Sequence, residues 1–365
     1  MEFRTQVTID TPPFLIEPCE EILFVGSCFA DAIGQRFRDE AFPVTVNPYG
    51  VMYNPASILH TLQRIAAGVP AASASAGASA SPASAGVPAS PAVSGFPAGL
   101  PAAAPRVAFL TLGTNHVYRL KSTGEIVDNC QKRPAALFQE EMLSVDQCAD
   151  YLRQSVTLLQ ELNPNIHVVF TVSPIRYRKY GYHESQLSKA TLLLAINKLI
   201  AATSPAASVA PAASGLRTGV PGYSTISYFP AYELVMDELR DYRFYASDML
   251  HPSAQAVDFI WERLVDSYFS PAAKNYLAEW LPLKRALTHR PFQPDSDDYR
   301  TFLAQTQQRL AAFRKKYPSS SLALAVSGSL SPVSSSKTLA VSGSLAPVSS
   351  SKTLAVSGFP ADSQL

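Results

Sequence analysis

The chain lacks an excess of charge of either sign: its 365 residues carry 30 Lys and Arg against 29 Asp and Glu. Because nucleic acids and anionic membrane surfaces select basic proteins, we expect neither as a partner. No run of about 18 uncharged apolar residues predicts a membrane span in a structured region. The first residues, 1–11, are polar and lack the basic start and apolar core of a secretory signal. We therefore expect a cytoplasmic protein.

Cysteine is also scarce. The four cysteines form no CxxC pair, so their spacing matches no zinc site; they are Cys19, Cys28, Cys130 and Cys148. Four cysteines could form two disulfides. In a long chain without a secretory signal, reduced thiols are the simpler interpretation.

Three segments contain little besides small and polar residues: Gly68–Pro105, Thr203–Gly222 and the tail at 317–365. In the tail, a Ser-rich unit at Leu324–Thr338 recurs almost unchanged at Leu339–Thr353. Such a repeat could form a solenoid, but two copies without a large apolar face make a poor core. Segments of this composition cannot bury enough surface to offset their chain entropy. We predict two disordered insertions and a disordered tail.

The remaining segments alternate between short apolar runs and amphipathic stretches. The predicted strands are 21–26, 106–113, 167–173 and 223–229. The predicted helices are 29–39, 55–65, 144–162, 185–202, 230–240, 253–269, 271–288 and 295–316. This order predicts a three-layer α/β/α sandwich with a short parallel sheet over residues 1–270, interrupted by the two insertions. A C-terminal helical extension at 271–316 follows.

In a parallel sheet, ligands bind beyond the carboxyl ends of the strands, so we searched those positions for reactive residues. The first strand ends at Gly26-Ser27, where a serine at a strand-to-helix turn can act as a nucleophile or simply cap the helix. Far downstream, Asp248 and His251 lie in a loop just before a helix. The imidazole can accept a serine proton, and the carboxylate can fix its tautomer. Alternatively, Asp248 begins an ordinary turn and His251 is solvated.

Candidate oxyanion donors also follow from this placement. The amide of Asn115 comes just after the 106–113 strand, and Gly50 could offer an unobstructed backbone N–H. Both residues could equally be ordinary turn residues.

Candidate substrate-binding residues follow the 167–173 strand. Arg176 could bind an anionic substrate group or be a loop cation, and His183 and Lys189 could line a pocket.

Several stretches resemble the GSCFA family, a branch of the SGNH (GDSL-like) hydrolase superfamily. The first is the eponymous Gly26-Ser27-Cys28-Phe29-Ala30. The others are NPYGVMYNP (47–55), TLGTNHVY (111–118), NCQKRP (129–134), FTVSPIR (170–176), QLSKA (186–190) and YFPAYELVMDELRDYRFYASDMLHPS (228–253). The resemblance covers about residues 3–269 apart from the insertions. It implies the SGNH hydrolase fold.

For the site, the resemblance implies Ser27 as nucleophile, His251 as base and Asp248 as the orienting acid. The oxyanion donors would be the Ser27 N–H, Gly50 and Asn115. The chain departs from the superfamily because Gly26 stands where GDSL enzymes have Asp, and no Asp follows Asn115. A thiolate at Cys28 could instead be the nucleophile, but only one of two successive side chains can face His251.

These residues predict a serine esterase that acts on a small acyl ester, such as an O-acetylated carbohydrate, and needs no metal or cofactor. An acyltransferase could use the same triad, and a binding module could retain the pocket without turnover. The sequence leaves the oligomeric state open.

Overall fold

The computed structural model describes residues 5–68, 104–128, 130, 133–203 and 225–321. The bulk of the two predicted insertions, and the tail from residue 322 on, lie outside the described residues. The disorder predicted for them stays a prediction.

The fold is a mixed α/β arrangement around a parallel sheet of five strands, in the order β2-β1-β3-β7-β8. A second, antiparallel sheet has the order β5-β4-β6. The strands are β1 Ile22–Gly26, β2 Val44–Val46, β3 Val107–Leu112, β4 His116–Leu120, β5 Ile126–Val127, β6 Phe138–Met142, β7 His167–Val172 and β8 Ile226–Tyr228. Each strand predicted from the sequence is present, within a few residues of its expected bounds.

Eight α-helices occur in the described residues. They are α1 Cys28–Asp39, α2 Pro55–Ala66, α3 Val145–Leu162, α4 Tyr182–Thr203, α5 Ala231–Glu233, α6 Ala254–Tyr268, α7 Pro271–Leu287 and α8 Asp297–Lys316. Ser or Asn side chains cap the first turn of most of the long helices; the caps are Ser27, Asn54, Ser144, Ser253, Ser270 and Ser296. Within the described ranges, no helix combines the length and hydrophobicity that a bilayer crossing requires.

Alternate residues of the strands enter two separate hydrophobic clusters, as the period of two in a strand requires. Phe24 of β1 and Phe109 of β3 stack at 4.6 Å in the cluster that also holds α1, α6 and α7. Leu23 and Leu110 belong to the other cluster, with α2, α3 and α4. Different helices therefore contribute to the two clusters.

The C-terminal helices pack on the end of α1. Trp280 donates its indole N–H to the Asp39 carbonyl at 3.0 Å, and Tyr276 donates to the Glu40 carbonyl at 3.0 Å. Lys284 pairs with the Glu40 carboxylate at 2.7 Å. The extension therefore shares the core of the sheet domain.

Some elements of the fold differ from those predicted. Strand β2, which has only three half-buried residues, was not predicted. The antiparallel sheet, whose strands are partly exposed, was not predicted either. The predicted helix 230–240 is α5 followed by a π-helix, Leu234–Leu239, which ends at Arg240 with φ 39°. The wider π turn changes the period on which the helix prediction relied.

Strands β1 and β3 approach so closely at Gly26 that a side chain there has no space. Gly26 pairs with Thr111 and has φ 150°. A Cβ at Gly26 would lie 2.1 Å from the Thr111 carbonyl oxygen and 2.4 Å from its hydroxyl oxygen. The turn that follows β1 therefore requires glycine.

We expect Gly26→Ala to lower the free energy of unfolding by about 3 kcal/mol, because backbone and side chain of Thr111 must both shift. Urea denaturation measures this change. The matched control is Gly124→Ala, where φ is 72° but nothing lies within 4 Å of the new Cβ. There the left-handed conformation alone should cost about 1 kcal/mol. Equal losses for the two variants would contradict the steric argument.

Candidate active site

Ser27 lies at the junction between β1 and α1, where two partners hold it. Its N–H donates to the Thr111 carbonyl at 3.1 Å and to the Thr111 hydroxyl at 3.0 Å. Its Oγ lies 3.3 Å from the Thr111 Oγ1 and accepts from the Phe29 N–H at 3.3 Å. The side chain is only 1% exposed, so in this state the hydroxyl caps α1.

The turn around Ser27 is fixed by Asn47, whose side chain bridges two elements. Its Oδ1 accepts from the Gly26 N–H at 2.8 Å, and its Nδ2 donates to Asp31 of α1 at 2.8 Å. Asn47 itself has φ 44°, a conformation that Asn tolerates better than most residues. One amide therefore ties the end of β1 to the first turns of α1.

Asp248 and His251 form a pair within one tight turn. Oδ2 of Asp248 lies 2.6 Å from Nδ1 of His251, while its Oδ1 accepts the backbone N–H groups of Leu250 and His251 at 2.8 and 3.0 Å. The His251 N–H, then the other donors, hold the pKa of Asp248 at about 2. Because an ionised carboxylate only accepts, Nδ1 must carry the proton, which leaves Nε2 as a base.

Two contacts place Ser27 and His251 at the same edge of the sheet and on the same face. Helix α1 begins at the carboxyl end of β1, and α6 packs beside α1. The turn that precedes α6 lies at the carboxyl end of β7, because the N–H of Arg176, four residues after that strand, donates to the Leu250 carbonyl at 3.1 Å. Helix α6 therefore begins at the carboxyl edge, just after His251.

Ser27 and His251 are not hydrogen-bonded to each other in this structure. The partners of the Ser27 hydroxyl are Thr111 and Phe29, and the partner of the His251 ring is Asp248. Attack by Ser27 would require its side chain to leave the cap position and turn toward His251.

Cys28 directs its side chain elsewhere. Its Sγ lies 3.7 Å from the hydroxyl of Tyr53, whose carbonyl accepts the N–H groups of Gly113 and Thr114. Ser27 and Cys28 therefore contact different partners, as expected for successive residues at a turn.

The GSCFA family profile matches residues 21–78 and 102–264, more than half of the chain. The chain belongs to the GSCFA family. A second profile, the C-terminal domain of GSCFA domain proteins, matches residues 280–324. The predicted resemblance is thereby confirmed, and the α7 and α8 region is also characteristic of GSCFA proteins.

No functionally curated protein matches this GSCFA chain. Among solved structures, a Streptococcus pneumonia protein named in connection with platelet activating factor is 14% identical, covering 70% of this chain and 85% of its own at a TM-score of 0.37. A mutant acetyl esterase with acetate ion is 10% identical. The match covers 71% of this chain and 99% of the esterase, at a TM-score of 0.35. A family 3 carbohydrate esterase from Talaromyces cellulolyticus is 9% identical. The match covers 67% of this chain and 94% of that esterase, at a TM-score of 0.34. Likeness at this level supports no inference about activity.

The two oxyanion donors predicted beside Ser27 have other partners in the GSCFA chain. Gly50 is exposed, and its N–H donates to the Asn47 carbonyl at 2.9 Å. The Asn115 side chain is buried and donates to the Leu143 carbonyl at 2.8 Å, which joins the ends of β4 and β6. In this arrangement the Gly50 N–H and one of the two Asn115 side-chain N–H donors are therefore already used.

The predicted substrate-binding residues lie on the loop after β7 and the start of α4. The Arg176 guanidinium lies 4.3 Å from the centre of the Tyr182 ring and 5.8 Å from that of Tyr245. His183 is exposed in the first turn of α4.

Lys189, from the QLSKA stretch, is fully buried and joins two strand ends. Its Nζ donates to the carbonyl of Gly113, after β3, at 2.7 Å and to that of Ser173, after β7, at 2.8 Å. The preceding Ser188 hydroxyl accepts the Asn115 N–H at 2.9 Å. Burial lowers the pKa of Lys189 to about 7.

Sequence reasoning missed Thr111 and Asn47 as positioning residues. Thr111 was visible as a polar residue within an otherwise apolar strand, and Asn47 as the first residue of the NPYG stretch. Their partners depend on strand pairing, which the sequence does not show. Within the part of the chain that the structure describes, no three His, Cys, Asp or Glu side chains are grouped to hold a metal ion.

The buried Lys189 predicts an unusual pH dependence of stability. Burial lowers the pKa of Lys189 from its ordinary value of 10.5 to about 7 in the folded protein. Between these two pH values, Lys189 is mostly protonated in the unfolded chain and mostly neutral in the folded one. The stability of the wild type therefore rises with pH. Between pH 7 and pH 9, its free energy of unfolding should increase by roughly 2 kcal/mol relative to that of Lys189→Met. Urea denaturation at several pH values measures the difference.

The control for this prediction is Lys198→Met, which removes an exposed lysine paired with Asp146. Its stability difference from wild type should stay nearly constant over the same range. A Lys189→Met curve parallel to that of wild type would contradict the lowered pKa.

Proposed function

We propose that this GSCFA protein is a serine esterase with the three-layer fold of the SGNH hydrolases, acting on a small acyl ester such as an O-acetylated carbohydrate. The observation that supports it most is the Asp248–His251 pair, which leaves Nε2 as a base at the edge where Ser27 begins α1. The substrate class is an expectation from SGNH relatives.

In the proposed reaction, Ser27 Oγ attacks the ester carbonyl while His251 Nε2 takes its proton. The Oγ–C bond forms, and the alcohol leaves with the proton that His251 returns to it. Water then attacks the acyl-enzyme, again through His251, and the acid is released. Asp248 stays ionised throughout and stabilises the imidazolium, as its low pKa requires.

The negative charge that develops on the carbonyl oxygen needs hydrogen-bond donors, and the Gly50 N–H and one Asn115 side-chain N–H already donate to other groups. The first turn of α1 supplies the alternative. The Cys28 N–H, the first of the helix, has no carbonyl one turn earlier to bond, and the helix dipole favours negative charge there. We assign the oxyanion site to this helix end.

A binding module without turnover is the second candidate function. The capping bonds of the Ser27 hydroxyl favour it, because they leave Ser27 unbonded to His251. The two functions differ in whether Ser27 becomes covalently modified.

We expect Ser27→Ala and His251→Ala each to lower kcat/KM for p-nitrophenyl acetate by about 10³-fold or more, because they remove the nucleophile and its base. Cys28→Ala should retain activity. A fluorophosphonate probe should label Ser27, as located by peptide mass spectrometry. Hydrolysis in the presence of carbohydrate acceptors distinguishes esterase from acyltransferase.

Ser144→Ala is the matched control, because Ser144 also caps a helix but contacts only its own capping partners. It should cost about 1 kcal/mol of stability and leave esterase activity unchanged. Full activity in both Ser27→Ala and His251→Ala would refute the triad. Labelling of Cys28, or of nothing, would refute Ser27 as nucleophile.

A further inference from the structure

The loop between β7 and α4, residues 173–181, concentrates positive charge at the carboxyl edge of the sheet. It carries Arg176, Arg178 and Lys179 and contains no Asp or Glu. Its tyrosines alternate with these cations: Tyr177 and Tyr180 stack with their ring centres 5.5 Å apart. The remaining question is which of the cations faces the candidate site.

Arg176 lies directly against the turn that holds Asp248 and His251. Its backbone N–H donates to the Leu250 carbonyl at 3.1 Å. Its guanidinium contacts the ring of Tyr245, which begins the same turn through a bridge to Pro252. Both the main chain and the side chain of Arg176 therefore contact the segment that carries the general base.

The Arg176 guanidinium has no carboxylate partner among the described residues. Several other arginines do: Arg36 pairs with Asp258, Arg64 with Asp128, Arg106 with Glu20, and Arg119 with Glu141. Arg176 instead contacts the rings of Tyr182 and Tyr245. Aromatic faces hold a guanidinium in place without using its N–H donors, so those donors remain for a ligand.

Acidic groups of the neighbouring segments interact with other groups. Both oxygens of Asp248 are hydrogen-bonded within the turn. The charge of Glu184 raises the pKa of His116, and Glu140 lies 3.1 Å from Nδ1 of the same imidazole. Arg176 is thus a half-exposed guanidinium that aromatic rings hold beside the turn of His251. The carboxylate of that turn, Asp248, is already bonded within it. Such a guanidinium is suited to bind a substrate anion.

We propose that Arg176 is a specificity residue that binds the carboxylate of an anionic ester substrate, such as an acylated sugar acid. The inference rests on the proposed esterase function and narrows its substrate class. One guanidinium balances one carboxylate, and its planar fork fits the two oxygens. The carboxylate would belong to the alcohol part of the ester, so its binding would hold the acyl group near Ser27 and His251.

Two esters of similar shape and different charge test the proposal when each variant is compared with wild type on both: 4-acetoxybenzoate and its methyl ester. Arg176→Gln should lower kcat/KM for the anionic ester about tenfold or more and change that for the methyl ester less than about twofold. Arg176→Lys should retain part of the preference, because the charge remains but the fork is lost. The control, Arg153→Gln, removes an exposed arginine of α3 paired with Asp150 and should change neither rate.

A binding measurement separates failure of this proposal from failure of the esterase function. In the Ser27→Ala background, calorimetry should show that 4-hydroxybenzoate binds more tightly than its methyl ester, and that Arg176→Gln and not Arg153→Gln removes the difference. This result would support carboxylate recognition even if neither ester were hydrolysed. Equal binding of the two ligands, or an unchanged preference in folded Arg176→Gln and Arg176→Lys, would overturn it.

Discussion

The candidate site depends on one close contact, the approach of Gly26 to Thr111. Because Gly26 has no side chain, β1 ends directly against β3, and the next amide, that of Ser27, reaches both the carbonyl and the hydroxyl of Thr111. This contact fixes where α1 begins. It thereby fixes Ser27 at the cap position, and with it the direction of the helix dipole.

The Asp248–His251 pair is built independently of this contact, by a segment far along the chain. Asp248 closes its own turn by accepting two backbone N–H groups, and the turn forces Met249 to φ 60°, a strained conformation for a residue with a side chain. Helix α6 then packs beside α1 in the same core cluster. The packing of two capped helices, rather than any local motif, brings the distant ends of the chain to one edge.

Local sequence patterns predicted the features that depend on neighbouring residues. The remaining features depend on which strands pair with each other. The run ILFVG, the cap at Ser27 and the Asp248–His251 spacing specify a strand, a helix start and a turn, and all three are present. The role of Asn115 could not be predicted in the same way. Its amide bonds Leu143 because β4 pairs with β6, and a five-residue, half-exposed strand gives little periodic signal.

The capping role of Ser27 and the proposed nucleophilic role are compatible in energy. The Ser27 hydroxyl bonds in the cap at 3.3 Å, which is long for such bonds. Leaving them costs about 1 kcal/mol, the usual value of a helix cap. Catalysis by a triad lowers a barrier by several times that amount. In addition, the Phe29 N–H that the hydroxyl releases lies in the first turn of α1, the helix end that we propose as the oxyanion site. A serine that caps a helix while at rest can therefore leave the cap and turn toward the histidine with little energetic loss.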